Sequence, residues 1–165
     1  MTRTVRVAIA LGSNLGDRQT HIKDAISGLH TLVSDLRVSS LLDTAFVGSG
    51  AFVGAGASDQ PPVLNGAITG TTTLSARVLL EALLALELRL GRTRPFERAP
   101  RTMDLDLILY GESRIDEPGL IVPHPRFRER RFVLEPLAEI APDLRDPVSG
   151  KTVANLLLDL VSRGE

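Results

Sequence analysis

Asp104 and Asp106 stand two residues apart in Met103-Asp104-Leu105-Asp106-Leu107-Ile108-Leu109-Tyr110, among apolar, strand-forming residues. Side chains at i and i+2 of a strand share a face, so the two carboxylates would project side by side. Like charges that close repel unless a cation lies between them. Just upstream come Arg92, Arg94, Arg98 and Arg101. Paired carboxylates for a hard divalent metal, beside arginines for phosphate, are the equipment of phosphoryl transfer. A solvated face of an edge strand would also carry Asp-x-Asp, and short motifs recur by chance. The Leu105-Leu107-Leu109 alternation favours the metal reading. It predicts one buried face, with the carboxylates held rigidly on the other.

The elements that must position these groups can be read from periodicity. Thr4 to Leu11 predicts a strand, Gly12-Ser13-Asn14-Leu15-Gly16 a turn, and Asp17 a helix cap. Ile22, Ala25, Ile26, Leu29 and Leu32-Val33 recur at helical spacing, so a helix is expected over 18–33. Leu36 to Thr44 predicts a second strand. Residues 45–62 hold Gly48, Gly50, Gly54, Gly56 and Pro61-Pro62 and predict a long loop. Phe46 and Phe52 in it could close over a planar ligand or simply anchor the loop. Val63 to Thr73 predicts a strand containing Asn65. Ser75 caps an apolar helix running to about Leu90, with Gly91 as its stop. Pro95 and Pro100 keep 92–102 irregular. After the carboxylate strand come a short strand pair over 115–122, a basic stretch opened by Pro123-His124-Pro125, and helices over 132–140 and 153–161. This order predicts a single α+β domain over 1–165, with helices packed on a mainly antiparallel sheet.

Composition bounds the function. The chain has 165 residues, 24% charged and 43% hydrophobic, enough for a core. A net charge of −1 gives no bulk attraction to nucleic acid or acidic membranes. Positive charge is local, at 92–101 and at Arg126, Arg128, Arg130 and Arg131. With no cysteine, disulfides, thiolate catalysis and zinc-thiolate sites are excluded. No signal peptide and no run of about 20 apolar residues is present, so a soluble cytoplasmic protein is expected, monomeric by default.

Other candidates carry less information alone. The glycine-flanked turn after the first strand lacks the P-loop pattern, although Asn14 could bond a ligand. Glu87, near the end of the apolar helix, could pair with Arg92, or Arg92 could bind phosphate. His124, between two prolines and near Arg126, Arg128 and Arg130, tilts toward anion binding and could titrate near neutrality.

Three segments together carry a resemblance: Ala10 to Gly16, Gly91 to Asp106, and Val122-Pro123-His124 through Phe132. They resemble 6-hydroxymethyl-7,8-dihydropterin pyrophosphokinase of folate biosynthesis, above all in Pro100-Arg101-Thr102-Met103-Asp104-Leu105-Asp106. The resemblance spans almost the whole chain and implies a ferredoxin-like α+β fold. It implies transfer of pyrophosphate from ATP to the pterin hydroxymethyl oxygen, leaving AMP. Asp104 and Asp106 would then bind two magnesium ions, with Asp104 also facing the pterin. Arg92, Arg94 and Arg101 would act on the reacting phosphates. Glu87, Arg98, Leu107, His124 and Arg130 would complete the ATP site. Asn65 would bond the pterin edge, Phe132 would stack on its ring, and Thr44, Val47 and Asn14 would adjoin it. ATP and the reduced pterin would be its small-molecule partners, with no nucleic acid and no membrane.

This chain departs from the family pattern in its loops. Val63 stands where many members place an aromatic, there is no tryptophan, the segment 45–62 is long and glycine-rich, and Pro125 follows His124. A metal-dependent phosphohydrolase or a non-catalytic binding module of the same fold would share the Asp pair and arginines. The hydrolase would release phosphate from ATP without pterin.

Overall fold

The computed structural model describes residues 3–13, 18–44, 63–90 and 103–164. Asn14, Asp17, Phe46, Val47, Phe52, Arg92, Arg94, Arg98 and Arg101 lie outside these residues. Of Thr44 only the backbone is described.

A five-stranded antiparallel sheet organises the chain. Its strands are β1 (Val5–Ser13), β2 (Ser34–Val38), β3 (Leu42–Thr44), β4 (Val63–Thr72) and β5 (Asp104–Tyr110). The order is β2-β4-β1-β5, with β3 also pairing to β4. Helices α1 (Arg18–Leu29) and α2 (Ala76–Arg89) cover one face; α3 (Arg131–Ile140) and α4 (Val153–Ser162) cover the other. A hairpin of β6 (Ile115–Glu117) and β7 (Leu120–Val122) follows β5. This is the ferredoxin-like α+β arrangement expected above.

Alternation on β1 builds both cores. Val7, Ile9 and Leu11 pack with Ile22, Leu29, Leu79 and Leu83 of α1 and α2. Ala8 and Ala10 face Leu134, Leu137, Val153 and Leu160 of α3 and α4. Small residues on that second face let α3 lie close to the sheet. The Ser75 hydroxyl accepts the Val78 N–H at 3.2 Å and starts α2, as its sequence position predicts.

Four expectations are corrected. β1 runs on through Gly12 and Ser13, because both stay paired to β4, so these two residues are strand and not turn. α1 ends at Leu29, with a turn at 30–32. The strand expected over Leu36 to Thr44 is broken after Val38. Ser39 donates its N–H to Ala67 O, but its hydroxyl, not its carbonyl, accepts the Ala67 N–H, both at 2.9 Å. A side chain has replaced one rung of the ladder, and the chain turns away there. Glu139 of α3 then grips the break, accepting the Ser40 N–H at 2.9 Å and the Ser40 hydroxyl at 2.8 Å.

The fourth correction concerns β5. Leu105 and Leu107 face α1 and α2, but Leu109 faces α3 and α4. The register slips by one residue: Ile9 opposes Leu107, whereas Ala8 opposes Leu109. Ile108 is the extra residue of a β-bulge, which puts two successive side chains on one side.

Ser39→Ala should leave the buried Ala67 N–H without its acceptor. A loss of about 1–3 kcal/mol is expected from denaturant midpoints at unchanged m. A loss below about 0.5 kcal/mol would show that the hydroxyl does not hold the break.

Candidate active site

Register decides which side chains meet. Gly12 of β1 opposes Asp104 on one side and Asn65 on the other. Ala10 likewise opposes Asp106 and Ala67. Directly opposed residues share a face. Asp104 and Asp106 therefore stand on one side of a floor made of Gly12 and Ala10, with Asn65 across it. Two strand spacings separate Asn65 from Asp104, or about 10 Å. Gly12 contributes no side chain to that interval. Leu42 of β3 stands next to Asn65 in the same row, so the β3 backbone leading to Thr44 borders it. Both aspartates are half-buried and Asn65 is buried.

A cleft of about 290 Å³ opens along the outer edge of β5. Asp104 and Asp106 lie in its wall, as do Glu87, Leu107 and His124. Leu80 and Leu84 of α2 form one side, and Leu120 to Val122 of β7 form another. The carboxylate pair thus adjoins both the cleft and the floor leading to Asn65.

Glu87 is 1% exposed, and its carboxylate accepts the Leu105 N–H at 2.5 Å. That bond fixes the orientation of β5. The Leu105 N–H points away from β1, and in an antiparallel pair every second residue does the same. The N–H and C=O of Leu107 therefore face the cleft. Beyond them, the His124 N–H donates to Ile108 O at 2.9 Å. Glu87 is thus a bond acceptor for the strand edge; its expected partner Arg92 lies outside the described residues.

The His124 Nδ1 accepts the Arg126 N–H at 3.1 Å. Nδ1 is thereby assigned as bare, and the proton of the neutral ring sits on Nε2. Burial, then the charges of Arg130 and Arg126, push its pKa below 6.5, against the opposing pull of Asp104. The ring is neutral at neutral pH and can still donate a hydrogen bond. Arg130 lies 5.7 Å from the centre of the Phe132 ring, which is 37% exposed at the start of α3.

The structure therefore brings Asp104, Asp106, Glu87, Leu107 and His124 together in one cleft, with Asn65 on the adjoining floor. Sequence reasoning missed the apolar walls. Leu80 and Leu84 read only as helix core, and 115–122 only as a strand pair. It also grouped Arg128 with the anion binders, whereas its guanidinium is committed to Asp146.

Comparison with known proteins fits this geometry. The family described as 7,8-dihydro-6-hydroxymethylpterin-pyrophosphokinase (HPPK) matches residues 8–142. The chain belongs to this family. Among HPPK relatives, the Bacillus subtilis 2-amino-4-hydroxy-6-hydroxymethyldihydropteridine pyrophosphokinase is 46% identical over 134 residues, 80% of this chain and 75% of that one. The Synechocystis protein of the same name is 42% identical over 149 residues, 90% and 73% of the two chains. The Pseudomonas aeruginosa one is 41% identical over 159 residues, 92% and 90%. Plasmodium falciparum HPPK-DHPS has the same fold at a TM-score of 0.77 and 13% identity, over 99% of this chain and 46% of that chain. The present chain spans less than half of that solved protein. Among the described residues, no helix is long and apolar enough to cross a membrane.

The His124 environment has a measurable sign. The unfolded chain takes up this proton near pH 6.5, and the folded chain only at lower pH. Stability from this group is therefore present above 6.5 and falls as pH drops below it. The His124 ring resonance should titrate below 6.5, and His124→Gln should remove that part of the acid destabilisation. Titration at or above 6.5 would contradict the arginine-flanked, buried setting.

Proposed function

We propose that this chain is a single pyrophosphokinase domain. It transfers pyrophosphate from ATP to the hydroxymethyl oxygen of 6-hydroxymethyl-7,8-dihydropterin, giving AMP and the pterin diphosphate in folate biosynthesis. The observation that carries this reading is the placement of Asp104 and Asp106 between the β5-edge cleft and the Asn65 floor. One side suits a nucleotide and the other a flat, hydrogen-bonding ring.

In this reading the base of ATP enters the apolar cleft. Leu107 offers it one backbone donor and one acceptor. Adenine presents the complementary acceptor and amino donor, whereas guanine presents the reverse order. Neutral His124 donates Nε2–H to a phosphate oxygen, and Arg130 supplies positive charge. Arg92, Arg94, Arg98 and Arg101 are proposed phosphate ligands from the family resemblance. Asn65 bonds the pterin edge, Phe132 offers its exposed ring for stacking, and Thr44, Val47 and Asn14 are proposed pocket residues from the family resemblance.

Asp104 and Asp106 fit magnesium: two half-buried carboxylates on one face leave the remaining positions to phosphate and water. Two bound ions would supply neutralisation of phosphate charge and a template for in-line displacement. The pterin oxygen forms a bond to the β-phosphorus as the bond from that phosphorus to the α-bridging oxygen breaks. The hydroxyl proton goes to solvent and AMP departs. Positioning and charge neutralisation carry such transfers, so no strong side-chain base is required. A monomeric, cytoplasmic enzyme is part of the same proposal.

The deciding experiment measures AMP formation from ATP and magnesium, with and without the pterin. AMP should form only with it, whereas phosphate or ADP without pterin would favour a hydrolase. Asp104→Ala and Asp106→Ala should each lose at least about a hundredfold in rate while keeping the fold. Full activity in either would sink the metal assignment. GTP should be poorer than ATP by at least about tenfold in kcat/KM, since its base leaves both Leu107 groups unpaired. Equal use of GTP would remove Leu107 from base recognition.

A further inference from the structure

His124 and Arg130 end a short segment that joins β7 to α3. Its backbone bonds are mostly its own: Phe127 N–H to His124 O at 3.4 Å, Glu129 N–H to Arg126 O at 3.0 Å, Arg130 N–H to Phe127 O at 3.2 Å. They shape the turn without saying where it sits. His124 N–H on Ile108 O fixes its first end. Its second end runs into α3, whose Val133 and Leu134 N–H groups both donate to Arg130 O at 2.9 Å, and two side chains fix the middle. Phe127 is fully buried beneath α3 and α4. Arg128 leaves the cleft side and reaches Asp146.

That pair is built differently from the surface ion pairs of this protein. The Arg128 Nε donates to Asp146 Oδ2 at 2.5 Å and Nη2 donates to Oδ1 at 2.9 Å. A two-pronged contact fixes the plane of the guanidinium as well as its position. The same group lies 4.9 Å from the centre of the Phe127 ring. Asp146 is itself held fast. It is 0% exposed, and it accepts Val148 N–H at 3.0 Å and the Ser149 hydroxyl at 2.7 Å. Its own N–H donates to Lys151 O at 2.9 Å. Burial works against its charge, but bonds from Arg128, Ser149 and Val148 outweigh it and bring the pKa down to about 2.

Arg126, Arg128, Arg130 and Arg131 crowd four like charges into six residues. Arg128 is paired with Asp146 and Arg131 with Glu135 of α3, which leaves Arg130 and Arg126 as the charges that act on His124. We propose that Arg128 is a positioning residue for the nucleotide: clamped to Asp146, it fixes the turn that presents His124 and Arg130 to the triphosphate. It touches no phosphate. The inference rests on the ATP reading of the cleft.

The test uses the full chain, with Arg128→Met, Arg128→Lys and Asp146→Asn beside the wild type. Calorimetry with a non-hydrolysable ATP analogue and magnesium gives Kd; steady-state rates give KM for ATP and for the pterin separately. All are read at a temperature where thermal melts show the protein folded. In Arg128→Met, Kd and KM for ATP should rise about tenfold or more, while KM for the pterin stays within about twofold. Arg128→Lys should recover part of the loss, because an ammonium keeps the charge but not the fork. A lower melting point with unchanged ATP parameters would overturn the proposal and leave Arg128 a strut. If the Met variant does not fold, Asp146→Asn provides the comparison beside Ser149→Ala, because the amide keeps the side-chain shape and weakens the clamp but also disturbs the bonds from Val148 and Ser149. Wild-type protein that fails to bind the analogue would overturn the ATP reading and this inference with it. Wild-type binding matched by all variants would overturn this inference alone.

Discussion

Antiparallel pairing of β5 with β1 is the constraint on which the site depends. The pairs Gly12 with Asp104 and Ala10 with Asp106 choose the face that the carboxylates occupy. A slip of one residue would turn both into the core beneath α1 and α2 and bring Leu105 and Leu107 out. That core would then hold two unpaired charges, so the wrong register is heavily penalised. The hydrophobic residues of β5 thus do more than fill space. They pin the acidic pair to a half-buried surface where it stays accessible.

The bulge at Ile108 resolves a conflict in that arrangement. Before it, the strand must present Leu105 and Leu107 to the first core. After it, Leu109 joins Ile108 against α3 and α4, filling the second core where Ala8 leaves room. One extra residue lets a single strand serve both layers. Tyr110 returns to the first side, and its hydroxyl donates to Leu74 O at 2.6 Å. The strand is therefore tied to the loop before α2 at its far end and to Glu87 of α2 at its near end.

Much of this was legible from residue order. Asp-x-Asp in an apolar run, the Ser75 cap and the period of α2 are local signals, and local chemistry decides them. The features that escaped are those in which a side chain or a neighbour overrides the local pattern. Ser39 reads as one more strand residue until its hydroxyl takes a backbone rung. The Leu105-Leu107-Leu109 alternation reads as one face until β1 imposes a bulge. Arg128 reads as one of four equivalent arginines until Asp146, far along the chain, captures it. The cleft walls escaped for the same reason: Leu80, Leu84 and Ile121 are ordinary apolar residues whose role comes only from where α2 and the β6–β7 hairpin meet.

Edge strands invite other strands to add to them, because a row of unpaired N–H and C=O groups is a template for further pairing. On β5 this row is short. Glu87 stops it at Leu105, and the His124 backbone stops it at Ile108. What remains open between the two stops is the width of a single residue. That gap is wide enough for the edge of one heterocycle, as proposed for the base of ATP, while an incoming peptide would find no second rung. The same two stoppers that frame the proposed base site therefore also guard this edge of the sheet against joining a neighbour's.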